Sequence, residues 1–557
     1  MADTKDSRTR PRVVVLGLDG ATFTILRPWM EAGYLPNLAR LAQQGVHGKL
    51  ESVMPPYSAP AWASLVTGKG PGKHGIVDFW RYDPSTDERR LVDARDVGTA
   101  ALWDILGGHG RLVGVVNVPL TYPPRAINGV MVSGMMTPSE DVPYTHPPQL
   151  KNWLKEAAGD YAADPYTSVD RTAAFLKHVL YWVKRREVAH LRLLQTRQFD
   201  FFINVIQALD PIQHHFWRIL DDSHPLHDDD EARRLHPLLL SCYQAVDEVV
   251  GHRLEMLNGR TTLFVVSDHG FGPAHRRFNV NRFLLEHGFL ALEGNAMPHP
   301  MLGQVIEGIR TAGRTLDVLN LRGRLLDNRQ RETLRRRLDQ SAASIVDWSR
   351  TRAYYTGLTG QGLYVNLAGR EATGIVSHGR LYEEVRDSLI AALMTLRDPD
   401  TSEPVVSAAY RREEIYTGPH LARMPDVVFS LRDRPYLPSE RMAAQAIIEP
   451  LPPESSGGRH HPEGIFLAAG PGIREGAVLD GARLIDVAPT ILHALDLPAP
   501  EDMDGHILTE VFTQEYLAAH LVRQGPPLMA RPVVEGRRNE QTDVIITERL
   551  RALGYLD

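Results

Sequence analysis

Apolar positions along the chain fall into two patterns. The first is a short unbroken run rich in β-branched residues. It recurs in RVVVLGLDG (12–20), RLVGVVNVP (111–119), FDFFINVIQALD (199–210), TTLFVVSDHG (261–270) and GIFLAAGPGI (464–473). The second is helical spacing. Leu35, Leu38 and Leu41 recur at that interval in LPNLARLAQQG (35–45), which stops at Gly45; residues 171–197 read as one long helix, and APTILHALDLPAP (488–500) as a helix halted by prolines. Runs that are apolar without alternation suit strands covered on both faces. Their alternation with helices predicts an α/β fold built on a mostly parallel sheet. Three runs end in carboxylates, Asp19, Asp210 and Asp268. Functional groups in such sheets gather at the carboxyl ends of the strands, so three acids distant in sequence are expected on one rim.

Between residues 296 and 345 the pattern changes. IRTAGRTLDVLNLRGRLLDNRQRETLRRRLD (309–339) is Arg-rich and helical with no strand. It predicts a helical insert, read as a solvated face with leucines packed beneath, an anionic partner or lipid surface being the alternative. The expected organisation is a disordered tail (1–11), a first part of the catalytic core (12–295), the insert or cap (296–345), a second part of the core (346–515) and a helical C-terminal tail (516–557).

Composition narrows the class. With 62 Lys and Arg against 68 Asp and Glu in 557 residues, the net charge is −6, which is not that of a basic nucleic-acid binder. One cysteine, Cys242, allows neither an intrachain disulfide nor a Cys-rich zinc site. The N-terminus lacks the apolar stretch of a secretory signal. No run reaches the roughly 18 apolar residues of a membrane span. The expectation is a cytoplasmic protein without a transmembrane segment, with homo-oligomerisation open.

The segment PPYSAPAWASLVTGKGPGKHGI (55–76) offers two chemistries. A phosphate-binding P-loop needs four residues between its first Gly and Gly-Lys, then Ser or Thr. Here Gly68 and Gly72 are separated by three, and His74 takes the hydroxyl position. GKGPGKHG is therefore a turn, with His74 structural. The other half presents Ser58 in a bend between prolines. Metal-type donors are scattered elsewhere: Asp210 and His214 one helical turn apart, Asp268 and His269 at a strand end, His460 and His461 before the last strand, and Asp19. Oxygen and imidazole donors without thiolate suit Zn²⁺, or Mn²⁺ where carboxylates dominate.

GLDG, SAPAWASLVTGKGPGKHGI, DPIQHHFW, SDHGF and HHPEGIF, in that order, resemble the alkaline phosphatase superfamily on its type I phosphodiesterase/nucleotide pyrophosphatase side, in particular its bacterial predicted phosphohydrolase or phosphomutase branch. The resemblance runs from Val13 to the tail. It implies a three-layer sandwich and two divalent ions. One would be held by Asp210, His214 and His460, the other by Asp19, Asp268 and His269 together with the nucleophile Ser58. His460 is preferred to His461 because the family histidine precedes the strand glycine, here Gly464, by four positions. The implied reaction is hydrolysis of a small-molecule phosphate ester through a phosphoserine. A phosphomutase is the alternative, with a sulfatase or an inactive binding module behind it. The sulfatase pattern wants Arg where Trp62 stands, and a decayed module would lack ligands.

One departure stands out. Where the family carries an Asn that bonds a phosphate oxygen, this chain has Phe79. Arg81 and Asn117 are the candidates to replace it as substrate-binding groups.

Overall fold

The structure is a computed structural model. It describes residues 11–86, 88–166, 172–293, 346–357, 360–432, 436–442, 444–453, 456–528 and 540–553. The Arg-rich insert 309–339 lies outside the described residues.

The five apolar runs form neighbouring or near-neighbouring strands of one nine-stranded sheet. Its spatial order is Ala477–Arg483, Val46–Glu51, Glu463–Ala469, Thr261–Val266, Arg12–Leu18, Phe201–Ile206, Val113–Val118, Gly129–Ser133 and Thr145–His146. The central five, from Thr261–Val266 to Gly129–Ser133, run parallel. Helices cover both faces, and two apolar clusters fill the layers. One joins Val14, Leu16 and Val265 to the helices Ala173–Thr196 and Asp229–Leu254; the other joins Val13, Val15 and Phe264 to Ser58–Thr67 and Val487–Ala494. Alternate residues of one strand thus serve opposite layers, which is why the runs show no polar alternation.

The strand Glu463–Ala469 departs from the parallel pattern. It pairs antiparallel with both Thr261–Val266 and Val46–Glu51. Its direction matters for chemistry, because its amino end then lies on the rim where the parallel strands have their carboxyl ends. His460 is carried to the acids in this way.

Residues 276–292 and 346–451 make a separate layer with its own core. A four-stranded sheet (Ala353–Tyr354, Gly362–Val365, Val427–Leu431, Val406–Arg411) is backed by the helix Arg380–Thr395, around Phe278, Leu363, Leu389 and Phe429. The part of the chain expected as a second stretch of catalytic core therefore begins as a smaller unit, and the large sheet resumes at Glu463. Among the described residues no helix is long and apolar enough to cross a membrane.

GKGPGKHG is a brace. Gly68 ends the helix Ser58–Thr67 with φ 67°, a conformation natural to glycine at a helix C-terminus. Lys69 pairs with Asp502 and donates to Thr99 Oγ1, while Lys73 Nζ lies 2.6 Å from Asp504. His74, wholly buried, accepts from the Ile76 N–H at Nδ1 and donates to Ser64 Oγ at 2.8 Å. Burial lowers its pKa to about 3, so it stays neutral and structural.

Candidate metal centre

Asp19 follows the strand Arg12–Leu18, Asp268 lies two residues beyond Thr261–Val266, and Asp210 opens the helix Leu209–Leu220 just after Phe201–Ile206. The parallel strands deliver all three to one rim, fully buried. His214 sits one turn along the same helix as Asp210, with 3.6 Å between Nε2 and Oδ1. His460 arrives on Gly457–His461, which pairs antiparallel with Gly270–Ala274. That strand can approach the helix because Gly458 lacks a side chain; a Cβ there would meet the Gln213 carbonyl at 2.5 Å.

Two donor groups result. Asp19, Asp268 and His269 form one, and Asp210, His269 and His460 the other, each with its ligand atoms within 4.8 Å. His269 stands between them, its Nε2 3.8 Å from Asp19 and 4.0 Å from Asp210. His214 joins the second group through His460, Nε2 to Nε2, at 2.9 Å. Ser58 begins the helix Ser58–Thr67 fully buried, with Oγ 3.1 Å from His269 Nε2 and 3.4 Å from Asp19 Oδ1. Seven residues singled out in the sequence thus meet in one site. His461 is not in either donor group; its ring accepts from the Glu463 N–H.

Proton positions follow from the partners. A carbonyl only accepts, so each imidazole facing one carries its proton there. His214 Nδ1 meets Gly458 O at 3.2 Å, His460 Nδ1 meets Pro56 O at 3.1 Å, and His269 Nδ1 meets Gly270 O at 3.1 Å. Arg459 Nη1 also lies 3.3 Å from His214 Nδ1 but donates to Gly458 O at 3.0 Å. All three Nε2 atoms then carry no proton and are aimed inward, the arrangement a metal-binding histidine takes when its other nitrogen is held by a carbonyl. Burial, followed by neighbouring positive charge, lowers the three pKa values, that of His460 to about 3. The rings are neutral and ready to ligate.

Unprotonated nitrogens 2.9–3.2 Å from one another and from carboxylate oxygens repel. Burial first, then mutual repulsion among the acids, raises the pKa of Asp19; burial also heads the causes for Asp268, against the Gly20 N–H that lowers it. Asp268 Oδ2 is buried without a hydrogen-bond partner. A cation in each group removes all of these costs at once, so the donor set fits two divalent ions.

Trp62, one turn after Ser58, entered the sequence reading only as the residue standing where the sulfatase pattern wants Arg, and its place in the site was missed. Its indole donates to Asp19 Oδ2 at 3.0 Å. The ring lies against Gly17, where a Cβ would come within 2.3 Å of it. Trp62→Phe keeps the packing and removes the donor. The zinc concentration for half-maximal activity is expected to rise about tenfold, matched by calorimetric titration of metal-free protein. Unchanged zinc affinity would remove the indole from the account.

The cleft over the site holds about 200 Å³ and reaches from His214, His460 and Tyr57 to the smaller layer. Neither substrate-binding candidate lines it. Arg81 is paired with Asp96 at 3.8 Å. Asn117 is buried, its amide donating to Ser133 O and Ala163 O while its oxygen accepts from Tyr161. Phe79 is buried in one cluster with Ala59, Ala63, Ile546 and Leu550. Among the described residues, the cationic side chains of the cleft are Arg89, Arg432, Arg459 and Arg551. Arg459 adjoins the HHPEGIF motif, whereas Arg89, Arg432 and Arg551 lie in segments with no motif, and only the fold brings them together.

Comparison with known proteins shows the family. The family profile described as type I phosphodiesterase / nucleotide pyrophosphatase matches residues 13–461. Ectonucleotide pyrophosphatase/phosphodiesterase family member 3 from Mus musculus is 29% identical over 94 residues, 17% of this chain and 10% of that protein. The Bos taurus protein matches to the same extent. The matched segment thus spans about a tenth of these curated relatives. Phosphonoacetate hydrolase from Sinorhizobium meliloti 1021, solved with phosphonoacetate, superimposes with a TM-score of 0.51 at 18% identity, covering 87% of this chain and 95% of that one. That likeness establishes the shared fold.

Proposed function

The chain belongs to the type I phosphodiesterase/nucleotide pyrophosphatase family, and we propose that it is a phosphoric ester hydrolase that works through Ser58 as nucleophile beside two divalent ions, zinc or manganese. Asp19, Asp268 and His269 would hold one ion together with Ser58, and Asp210, His214 and His460 would hold the other. The observation that carries this reading is the set of three inward, unprotonated Nε2 atoms facing buried carboxylates.

Bound cations supply positive charge that favours ionisation of hydroxyl groups and offsets charge on the phosphoryl oxygens. Ser58 Oγ, fixed at the start of its helix, attacks phosphorus, and the alcohol leaves in line. First-turn N–H groups have no helical acceptor and point toward the incoming anion. Pro60, the third helical residue, has none to lose. Water then cleaves the phosphoseryl ester and restores Ser58. The substrate is a small-molecule phosphate ester.

Chelation tests the metal requirement. Hydrolysis of bis-p-nitrophenyl phosphate is expected to vanish after dialysis against a chelator and return with Zn²⁺ or Mn²⁺. Full activity in protein carrying under about a tenth of an equivalent of metal by mass spectrometry would exclude metal-assisted attack.

A further inference from the structure

We propose that the C-terminal helix Glu540–Leu553 is a substrate-recognition element, and that its Arg551 binds a second anionic group on the non-reacting part of the ester. The inference rests on the cleft's being the ester-binding site and adds to it a class of substrate.

The helix is docked in one register. Ile546 and Leu550 are buried in the cluster that contains Phe79 and, from the nucleophile's helix, Ala59 and Ala63. Arg549 is buried on Asp164 at 2.8 Å and donates to the carbonyls of Thr137 and Pro138. A buried guanidinium needs all these acceptors, so the helix can neither slide nor turn without stranding charge. Adjacent helical residues point about 100° apart. With Leu550 in the cluster, Arg551 is turned to the cleft, whose lining it joins. The same helix packs on Glu88–Leu91, which carries Arg89 into that cleft.

The lining is unbalanced in charge. Among the described residues that line it, Arg89, Arg432, Arg459 and Arg551 stand with one carboxylate, Glu440. Arg459 sits beside His214 and belongs to the reacting end. Arg551 and Arg89 come from the docked helix and the strand beneath it. A planar guanidinium with several donors matches a phosphate or a carboxylate. Phe79 acquires a use here, as part of the seat on which the arginine-bearing helix rests.

Three chromogenic diesters separate the outcomes: bis-p-nitrophenyl phosphate, and p-nitrophenyl diesters whose second alcohol carries a carboxylate or a phosphate. The wild type is expected to favour the doubly charged esters in kcat/KM, with the two arms telling which anion fits. Arg551→Ala lowers that preference about tenfold, mainly through KM, and Arg551→Lys restores part of it. Arg551→Gln, which keeps the stem, behaves as alanine does, and covers the case in which the alanine variant folds poorly. High salt erodes the wild-type preference. Equal kcat/KM for all three esters in the wild type, or an undiminished preference in Arg551→Ala and Arg551→Gln, would overturn the proposal while leaving Ser58 chemistry intact. Absence of turnover of every ester by metal-loaded wild type would instead strike the underlying reading.

Discussion

Ser58→Ala is expected to turn over bis-p-nitrophenyl phosphate at least about a thousandfold more slowly than wild type at saturating metal, with its thermal midpoint almost unmoved. A loss of that size follows when the atom that forms the new bond is deleted while binding and electrostatics remain. Ser58 is buried at the first turn of its helix, so a methyl group fits the same space. Two neighbouring hydroxyls are committed elsewhere: Ser64, two turns on, is bonded to His74, and Ser52 donates to the Asp268 carbonyl. Wild-type turnover by the variant, measured by release of p-nitrophenolate, would move the nucleophile elsewhere.

Asp268→Asn separates stability from function. Asp268 is wholly buried, and burial raises its pKa, with Asp210 adding to the effect. A carboxyl that holds its proton more tightly when folded than when unfolded contributes stability at low pH, and that contribution is lost as pH rises through the folded value. At neutral pH the metal-free wild type therefore carries a cost that asparagine removes. The Gly20 N–H that donates to Asp268 Oδ1 at 3.2 Å can donate to the amide oxygen instead. The metal-free variant is expected to melt above metal-free wild type at pH 8, and the advantage shrinks as the pH is lowered. With zinc the order reverses. Wild type gains several degrees from binding, the variant gains little, and its kcat falls at least about a hundredfold. Parallel scanning calorimetry with and without zinc reads both effects. A variant that melts lower in the metal-free state and still responds fully to zinc would contradict the repulsive cluster.

The site was legible in the sequence for a physical reason. Catalytic acids in a parallel sheet sit at strand ends, and Asp19, Asp210 and Asp268 each close an apolar run. The D-x-x-x-H spacing transferred directly, because helical periodicity is local. Strand direction was not legible. GIFLAAGPGI looks like its parallel neighbours, because burial on both faces erases the alternation that would distinguish it, and only pairing reveals that Glu463–Ala469 runs the other way. The smaller layer was also hidden, since its strands are as short and apolar as those of the core. The cleft arginines left no trace for a different reason. Arg89, Arg432 and Arg551 occupy segments with the composition of ordinary surface, and their convergence is a property of tertiary packing alone. Arg81 and Asn117 were drawn from segments adjoining the motifs, yet Arg81 pairs with Asp96 and Asn117 bonds backbone carbonyls.

The central claim is that phosphorus passes through Ser58 in two in-line displacements. The direct test is the stereochemical course of hydrolysis of a diester made chiral at phosphorus with sulfur and oxygen isotopes. Two displacements give net retention of configuration, the result expected here. Net inversion would mean that water attacks the substrate directly, and Ser58 would lose its role as nucleophile.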